Sequence, residues 1–210
     1  MKHLDAAARR RAVTCIAITV AAFVIAAIVA RAETFAGLDQ GTKVLVRDGR
    51  PLALAAPMRY VSLLGSGYTL LPVTVVCSVV LWRRRHRALA LSLPAVGVAA
   101  SLTLAVMKWI INKPRPTLRG YGFPSGHVFG VAIFAIVAVY LLWAFDAPRR
   151  TQRVVRAAAV VFVLAVGYSR LYVNAHWLSD VGGGLLAGVA FALGVVLVVD
   201  RCFVHNGHAA

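Results

Sequence analysis

Residues 124–145 read PSGHVFGVAIFAIVAVYLLWAF, and this segment contains no Lys, Arg, Asp or Glu. Its length is close to the ~20 apolar residues that a helix needs to cross a bilayer. Lipid admits only helices and closed barrels, and the segment lacks the alternation of a barrel strand. Similar apolar runs elsewhere bring the number of predicted spans to six, at residues 13–30, 60–82, 88–112, 124–145, 154–172 and 181–200. The sequence therefore predicts an all-α integral membrane bundle of six transmembrane helices.

The composition agrees with a membrane protein and excludes an ordinary soluble domain. Apolar residues make up 60% of the 210 residues, and charged residues only 14%. The mean hydropathy is +0.79, whereas soluble domains carry about 25% charged residues. The length leaves room for one folded unit, so we expect a single domain over residues 1–210.

The net charge is +16, and the basic residues are unequally divided between the two sides of the bundle, with thirteen on one side and seven outside the polar clusters on the other. No aromatic residues are interleaved with these basic residues, so a nucleic-acid partner is not expected. The positive-inside rule makes the basic side cytoplasmic, together with both termini. Thirteen of the 23 basic residues belong to it: Lys2, Arg9, Arg10, Arg11, Arg83, Arg84, Arg85, Arg87, Arg149, Arg150, Arg153, Arg156 and Arg201.

The N-terminal segment allows two interpretations. Basic residues precede the run 13–30, and Ala30-Arg31-Ala32 loosely resembles a signal-peptidase site. We favour an uncleaved first helix, because the run is long for a signal peptide and five more spans follow. The segment 31–59 is either a plain connector or a cover for the site.

Two further features are expected to serve packing. Gly184 and Gly188 form a G-x-x-x-G pattern that favours close contact between helices. The three cysteines do not have the spacing of a metal site or a disulfide framework. We expect them to be packing residues: Cys15, Cys77 and Cys202.

Three polar clusters lie at span ends on the side opposite the basic loops. The first holds Lys108 and Arg115, which share one helix face if the third helix continues between them. Pro114 and Pro116 are expected to end that helix. Taken alone, the two cations could simply snorkel to the membrane surface.

The second cluster, Pro124-Ser125-Gly126-His127, opens the fourth span. Pro124 suits a first helical turn, Ser125 can cap it, and Gly126 allows a close approach of the backbone to a ligand. The free N–H groups at a helix N-terminus form an anion site. The alternative is a capped helix start with an incidental histidine.

The third cluster contains Ser169, Arg170, His176 and Asp180. Arg170 offers a fork of donors suited to phosphate oxygens. A carboxylate bonded to one ring nitrogen of His176 would leave the other nitrogen free as a nucleophile or base. The alternatives are a buried ion pair, or a zinc site completed by His127. The convergence of all three clusters on one side favours a site that grips a phosphate and attacks it.

The clusters resemble the signature of the type 2 phosphatidic acid phosphatase (PAP2) superfamily, also called the lipid phosphate phosphatases. That signature is K-x6-R-P, then P-S-G-H, then S-R-x5-H-x3-D. Lys108 to Pro116, Pro124 to His127 and Ser169 to Asp180 fill it at the same spacing and in the same order. The motifs lie within residues 108–180, about a third of the chain.

The resemblance implies a phosphatase that uses neither a metal nor a cofactor and passes through a phosphohistidine. His176 would attack phosphorus, and Asp180 would orient it. His127 would protonate the leaving oxygen and then activate water. Five residues would hold the phosphoryl oxygens: Lys108, Arg115, Ser125, Gly126 and Arg170.

The expected substrate is a lipid phosphate at the periplasmic face of a bacterial inner membrane. We favour undecaprenyl diphosphate, because Lys113, Arg119 and Tyr121 lie beside the motifs and could hold a second phosphate. Phosphatidic acid and phosphatidylglycerol phosphate are the alternatives. A lipid phosphotransferase and a non-catalytic membrane protein stay open. The oligomeric state is not predicted.

Overall fold

The computed structural model describes residues 2–49, 51–117 and 120–206, and within them it is helical without a β-strand. Five helices are long and apolar enough to cross a membrane, and the number is six if the bent pair Leu52–Leu64 and Gly67–Arg83 is counted as one span. This confirms the predicted all-α membrane bundle. The helices are α1 (Ala6–Arg31), α2 (Ala36–Lys43), α3 (Ala55–Leu64), α4 (Gly67–Arg83), α5 (Arg87–Ile111), α6 (Gly126–Ala144), α7 (Arg149–Tyr172) and α8 (Leu178–Asn206).

The second span differs from the continuous helix predicted over residues 60–82. It consists of α3, with the preceding turn of 3₁₀ helix, and α4, and these bend by 43° at the break. Gly65, at the break, packs against α7, since a Cβ there would lie 2.6 Å from Val166 Cγ1. The bend therefore holds the end of α3 tightly against α7.

The segment 31–59 has structure of its own. It contains α2, a π-helical turn at Val44–Asp48 and a 3₁₀ turn at Leu52–Leu54. Arg50 lies outside the described residues. Asp39 of α2 is buried and contacts the start of α8, so this segment covers part of the polar end of the bundle.

Helix α8 is central to the bundle, packing chiefly against α6 and α1. A Cβ on Gly188 would lie 2.8 Å from Ala132 Cβ and 2.9 Å from the Phe129 carbonyl oxygen. A Cβ on Gly184 would lie 2.6 Å from the Ser125 carbonyl oxygen. These distances confirm the close packing predicted from the G-x-x-x-G pattern. They also place the first turn of α6 beside the first turns of α8.

The two ends of α8 carry buried carboxylates, Asp180 and Asp200, separated by about 30 Å at the rise of an α-helix. Asp200 accepts hydrogen bonds from the Leu4 N–H (3.0 Å), the Arg9 guanidinium (2.9 Å) and the Tyr140 hydroxyl (3.2 Å). The N-terminal segment is thereby fastened to the end of the last helix. The sequence analysis did not single out this cluster.

The cysteines are free thiols. Cys77 is partly buried, as a packing residue would be. The packing role expected for Cys15 and Cys202 is wrong, because both side chains are exposed on the surface of the bundle.

Candidate active site

All three polar clusters meet at one end of the bundle. The C-terminal ends of α5 and α7 and the N-terminal ends of α6 and α8 converge there. His127 is partly buried and lies within electrostatic reach of Lys108, Arg115, Arg170 and His176. The structure therefore brings the predicted site residues into one place, as the sequence interpretation required.

The first cluster is assembled by a loop rather than by a helix face. Helix α5 ends at Ile111, and Asn112 adopts the left-handed conformation ahead of the prolines, so Arg115 is not helical. The loop folds back, and the Tyr121 carbonyl accepts from Lys108 Nζ (3.0 Å) and Arg115 Nε (3.1 Å). The two cations still meet, but the expected shared helix face is wrong.

Gly122 allows this loop to approach the third cluster. A Cβ on Gly122 would lie 2.5 Å from Asp180 Oδ2. Its carbonyl also accepts from Lys108 Nζ at 3.0 Å. Any larger residue here would displace either the loop or the buried carboxylate.

The second cluster forms the start of α6, which begins at Gly126. Pro124 therefore precedes the first turn instead of lying in it. Ser125 occupies the N-cap position, but its side chain makes no capping hydrogen bond. Its N–H donates to the Asp180 carbonyl oxygen (2.9 Å), while its fully buried Oγ has no hydrogen-bond partner among the described residues. The hydroxyl is thus free to bond a ligand.

The third cluster centres on a buried histidine–aspartate pair. His176 Nδ1 lies 3.1 Å from Asp180 Oδ2, and the same oxygen accepts from the Trp177 N–H at 3.1 Å. His176 precedes α8, so the pair does not lie on one helix face. Asp180 instead reaches back from the first turn, as the acidic member of a capping box does. The Trp177 indole donates to the Pro114 carbonyl (3.0 Å) and joins this turn to the loop of the first cluster.

Burial lowers the pKa of the His176 imidazole, and the hydrogen bond and charge of Asp180 oppose this only in part. The imidazole is therefore neutral at pH 7. Because a carboxylate can only accept, Nδ1 carries the proton and donates it to Asp180. The lone pair is then on Nε2.

Arg170 and Ser169 have different surroundings. The Arg170 guanidinium donates to Ser62 at the end of α3, and its buried Nε has no partner in the described part of the chain. Ser169 is fully buried, and its hydroxyl donates to the Val166 carbonyl at 2.7 Å. Ser169 therefore stabilises the last turn of α7, whereas Arg170 has a free donor at the site.

Asp39 was not among the predicted site residues, and Lys113 was predicted to hold a second phosphate. Lys113 Nζ donates to Asp39 Oδ2 at 2.7 Å, and both side chains are largely buried. Lys113 is therefore already paired. Of the other residues proposed to hold a second phosphate, Arg119 lies outside the described residues, and Tyr121 has a half-exposed side chain. No spacing rule connects Asp39 to residues more than seventy positions away, so no sequence signal identified it.

The zinc alternative finds no geometric support in the part of the chain that the structure describes. No group of three or more His, Cys, Asp or Glu side chains there is arranged to hold a metal ion. The unpaired donors at the site, on Ser125 and Arg170, suit an anion instead.

Comparison with known proteins gives a family match. The PAP2 superfamily model matches residues 117–203, which contain the second and third motifs. Phosphatidylglycerophosphatase B of Bacillus subtilis (strain 168) is 29% identical over 143 residues, which are 64% of this chain and 66% of that protein. An Escherichia coli (strain K12) protein named "Putative undecaprenyl-diphosphatase YbjG" is 29% identical over 146 residues, which are 61% of this chain and 68% of that protein.

The match to phosphatidylglycerophosphatase B of Escherichia coli (strain K12) is shorter, at 41% identity over 61 residues. It covers 29% of this chain and 22% of that protein. The chain thus spans just under two thirds of the Bacillus relative and about a fifth of this one.

Solved structures share the fold. A transmembrane PAP2-type phosphatidylglycerolphosphate phosphatase from Bacillus subtilis superposes with a TM-score of 0.82 at 23% identity, covering 89% of this chain and 96% of that one. Aquifex aeolicus LpxE superposes with a TM-score of 0.59 at 20% identity, covering 76% of this chain and 95% of that one. The chain is therefore an integral membrane protein with the fold of these two structures, and its residues 117–203 match the PAP2 superfamily.

Proposed function

We propose that this protein is a membrane phosphatase that hydrolyses the terminal phosphate of a lipid phosphate through a phosphohistidine intermediate. One observation carries the proposal: a buried His176–Asp180 pair, 3.1 Å apart, stands among cations and unpaired donors from three other helix ends. Phosphoryl transfer depends mostly on positioning and on charge around the equatorial oxygens. This site offers both.

The unpaired donors favour a bound phosphoryl group. A buried donor without a partner costs about 1–3 kcal/mol. Ser125 Oγ and Arg170 Nε are two such donors at one site. A phosphoryl oxygen would accept from both, and the first N–H groups of α6, beginning at Gly126, would add to the binding. Lys108 and Arg115 supply the remaining positive charge.

The proposed reaction has two steps. Nε2 of His176 forms a bond to phosphorus while the bond from phosphorus to the leaving oxygen breaks, and His127 gives its proton to that oxygen. His127 then takes a proton from water, the resulting hydroxide attacks phosphorus, and the P–N bond breaks to release inorganic phosphate. Asp180 holds the Nδ1–H throughout and stabilises the positive charge that develops on the ring.

For the substrate, we favour phosphatidylglycerol phosphate and retain undecaprenyl diphosphate as the second candidate. The first is supported by the names of two relatives, and the second by the name of YbjG. Lys113 is paired with Asp39, so it is not free to hold the second phosphate of a diphosphate. Three cations, Lys108, Arg115 and Arg170, suit a single phosphoryl group.

We further propose that residues 1–210 act as one domain in the bacterial inner membrane, with both termini cytoplasmic and the site on the periplasmic face. The thirteen Lys and Arg residues at the basic end of the bundle support the orientation through the positive-inside rule. The contact of Leu4 with Asp200 supports placing both termini at the end opposite the site.

The test is phosphate release by the purified protein in detergent with EDTA present. The panel comprises phosphatidylglycerol phosphate, undecaprenyl diphosphate, phosphatidic acid and a soluble phosphate ester. We expect turnover of at least one lipid, with the highest rate identifying the substrate class. The matched variant is His176→Ala, in which we expect release to fall to the uncatalysed level while the protein stays folded by circular dichroism.

Other outcomes would redirect the assignment. Wild-type turnover by His176→Ala would remove this residue as the nucleophile. Activity that EDTA abolishes and zinc restores would replace the proposed chemistry by a metal-assisted one. Release that appears only when an alcohol acceptor is added, with the phosphoryl group found on that acceptor, would identify a phosphotransferase.

A further inference from the structure

Lys113 lies between two buried carboxylates, one in the site and one outside it. Its Nζ donates to Asp39 Oδ2 at 2.7 Å and lies 3.9 Å from Asp180 Oδ1. Its own side chain is 10% exposed. Water therefore screens these charges weakly, and each carboxylate affects how strongly the ammonium acts on the other.

Asp39 is held by more than this ion pair. Its Oδ1 accepts from the Ser179 N–H (2.9 Å), and its Oδ2 accepts from the Ser179 hydroxyl (2.7 Å). Ser179 lies in the first turn of α8, next to Asp180. A carboxylate at a helix N-terminus satisfies free N–H groups and the helix dipole. Asp39 therefore fixes α2 to the turn that carries the catalytic pair.

The two oxygens of Asp180 are used unequally. Oδ2 accepts from His176 and Trp177, whereas Oδ1 has no hydrogen bond among the described residues and is fully buried. Lys113 would bond Oδ1 if it moved about 1 Å closer. Its hydrogen bonds to Asp39 Oδ2 (2.7 Å) and Ser179 Oγ (2.5 Å) hold it at this distance, so the ammonium lies near the Asp180 carboxylate without donating to it.

We propose that Lys113 and Asp39 are positioning residues that set the proton affinity of the His176–Asp180 pair. This inference rests on the proposed function of that pair. The positive charge of Lys113, 3.9 Å from Asp180 Oδ1, makes the His176 imidazolium less favourable, and the negative charge of Asp39 limits this effect. Asp39 then contributes to the active site from outside the three motifs.

The other charged groups facing His176 are the same in every variant used below. They come from α5, α6, α7 and α8, and comprise Lys108, His127, Arg170 and Asp180. A shift in the titration of His176 is therefore attributable to the substitution at Lys113 or at Asp39.

The two neutralising substitutions are expected to act in opposite directions. Lys113→Met removes a cation, which favours imidazolium, so the acidic limb of kcat/KM moves to higher pH. Asp39→Asn releases the ammonium toward Asp180, so that limb moves to lower pH. We expect each shift to be about half a pH unit or more, as nearby charges produce. We also expect kcat to fall about ten- to a hundredfold in each, with a smaller change in KM.

Matched controls separate this effect from a general loss of charge. Lys43→Met removes a cation that also lies over the Trp177 ring, at 5.4 Å against 6.0 Å for Lys113, but has no carboxylate partner among the described residues. Asp48→Asn removes an exposed carboxylate from the same segment. Both should leave the acidic limb in place. Lys113→Arg keeps the positive charge, so its acidic limb should lie close to that of the wild type.

The profiles are measured on the panel lipid that the wild-type protein turns over fastest. The inference would be overturned if the acidic limbs of Lys113→Met and Asp39→Asn coincided with that of the wild type. It would also be overturned if both limbs moved in the same direction. The shift in Lys113→Met is required whether or not Asp39→Asn folds.

A second readout does not depend on turnover. The titration of His176 is followed by ¹⁵N-histidine NMR in detergent, with its signal assigned by loss in His176→Ala. An inactive wild type with the expected opposite NMR shifts would reject the proposed phosphatase and keep the positioning pair. An active wild type without those shifts would keep the proposed phosphatase and reject the positioning pair.

Discussion

His176 owes its proposed role to its surroundings. Burial lowers the pKa of the ring, which keeps it neutral, and the Asp180 carboxylate holds the proton on Nδ1. Nε2 is then the nucleophilic atom without any need for an external base. A more exposed histidine would be partly protonated at neutral pH, since its ordinary pKa is about 6.5.

This environment predicts the pH dependence of the reaction. The nucleophile must be unprotonated, and its pKa lies below the ordinary value, so the acidic limb of kcat/KM should fall below about pH 6.5. Asp180→Asn should lower kcat about a thousand- to ten-thousandfold, because the tautomer is no longer enforced. Its residual limb should move to still lower pH, since the raising influence of Asp180 is lost. A wild-type limb above pH 6.5, measured in initial-rate profiles, would contradict the buried neutral ring.

Sequence spacing could predict these residues because the motif positions lie at span ends that topology places together. It could not predict Ser62 or Asp39. Ser62 reaches Arg170 only because α3 bends away from α4, and Asp39 reaches Ser179 only because α2 folds over α8. Such partners are determined by tertiary packing over long chain separations. The roles of the motif residues themselves stay predictions until they are tested.

At the scale of elements, the packing of α8 against α6 determines where the second and third motifs lie relative to each other. Its first turn carries Asp180, and small residues on its side let α6 come close enough for the Ser125 N–H to reach the Asp180 carbonyl. The packing of these two helices is therefore also the packing of the second and third motifs.

Two glycines in α8 should respond oppositely to the same substitution. Gly188→Ala places a Cβ within 3 Å of Ala132 and Phe129, and overpacking of this kind costs about 1–3 kcal/mol. Gly194→Ala meets nothing within 4 Å and gains up to about 1 kcal/mol of helix propensity. We expect the midpoint of thermal unfolding in detergent, followed by circular dichroism, to fall in the first and to hold or rise in the second. Equal midpoints would contradict the close contact of α6 and α8.

Hydropathy predicted the existence of every span, and Pro114 and Pro116 predicted the end of α5 to within a few residues. The bend between α3 and α4 was not predictable, because the apolar run 60–82 continues across it and the contact of Gly65 with Val166 joins distant parts of the chain. Helix α2 was not predictable either. It has eight residues, and its stability comes from its contacts with α8 and not from local propensity.

At the scale of the molecule, the bundle has one basic end and one end that carries the candidate site. The helix ends and connections at the basic end hold thirteen Lys and Arg residues, and the N-terminal segment contacts Asp200 there. An orientation with the basic end in the cytoplasm exposes the site to lipids in the outer leaflet of the membrane.

This orientation can be measured by cysteine labelling at two threonine positions, one at each end of the bundle. In a background without Cys15, Cys77 and Cys202, Thr117→Cys lies at the site end and Thr151→Cys at the basic end, and both positions are exposed. We expect a membrane-impermeant maleimide to label Thr117→Cys in spheroplasts, and Thr151→Cys only after the membrane is opened. The reverse labelling pattern would place the site in the cytoplasm.

The Asp200 cluster has a consequence for how the protein is made. Leu4 and Arg9 are synthesised before the other helices, whereas the carboxylate they bind belongs to α8, more than 190 residues later in the chain. The first helix is therefore without this polar partner until α8 has been made. A chain interrupted before Asp200 would leave the Arg9 guanidinium without its carboxylate.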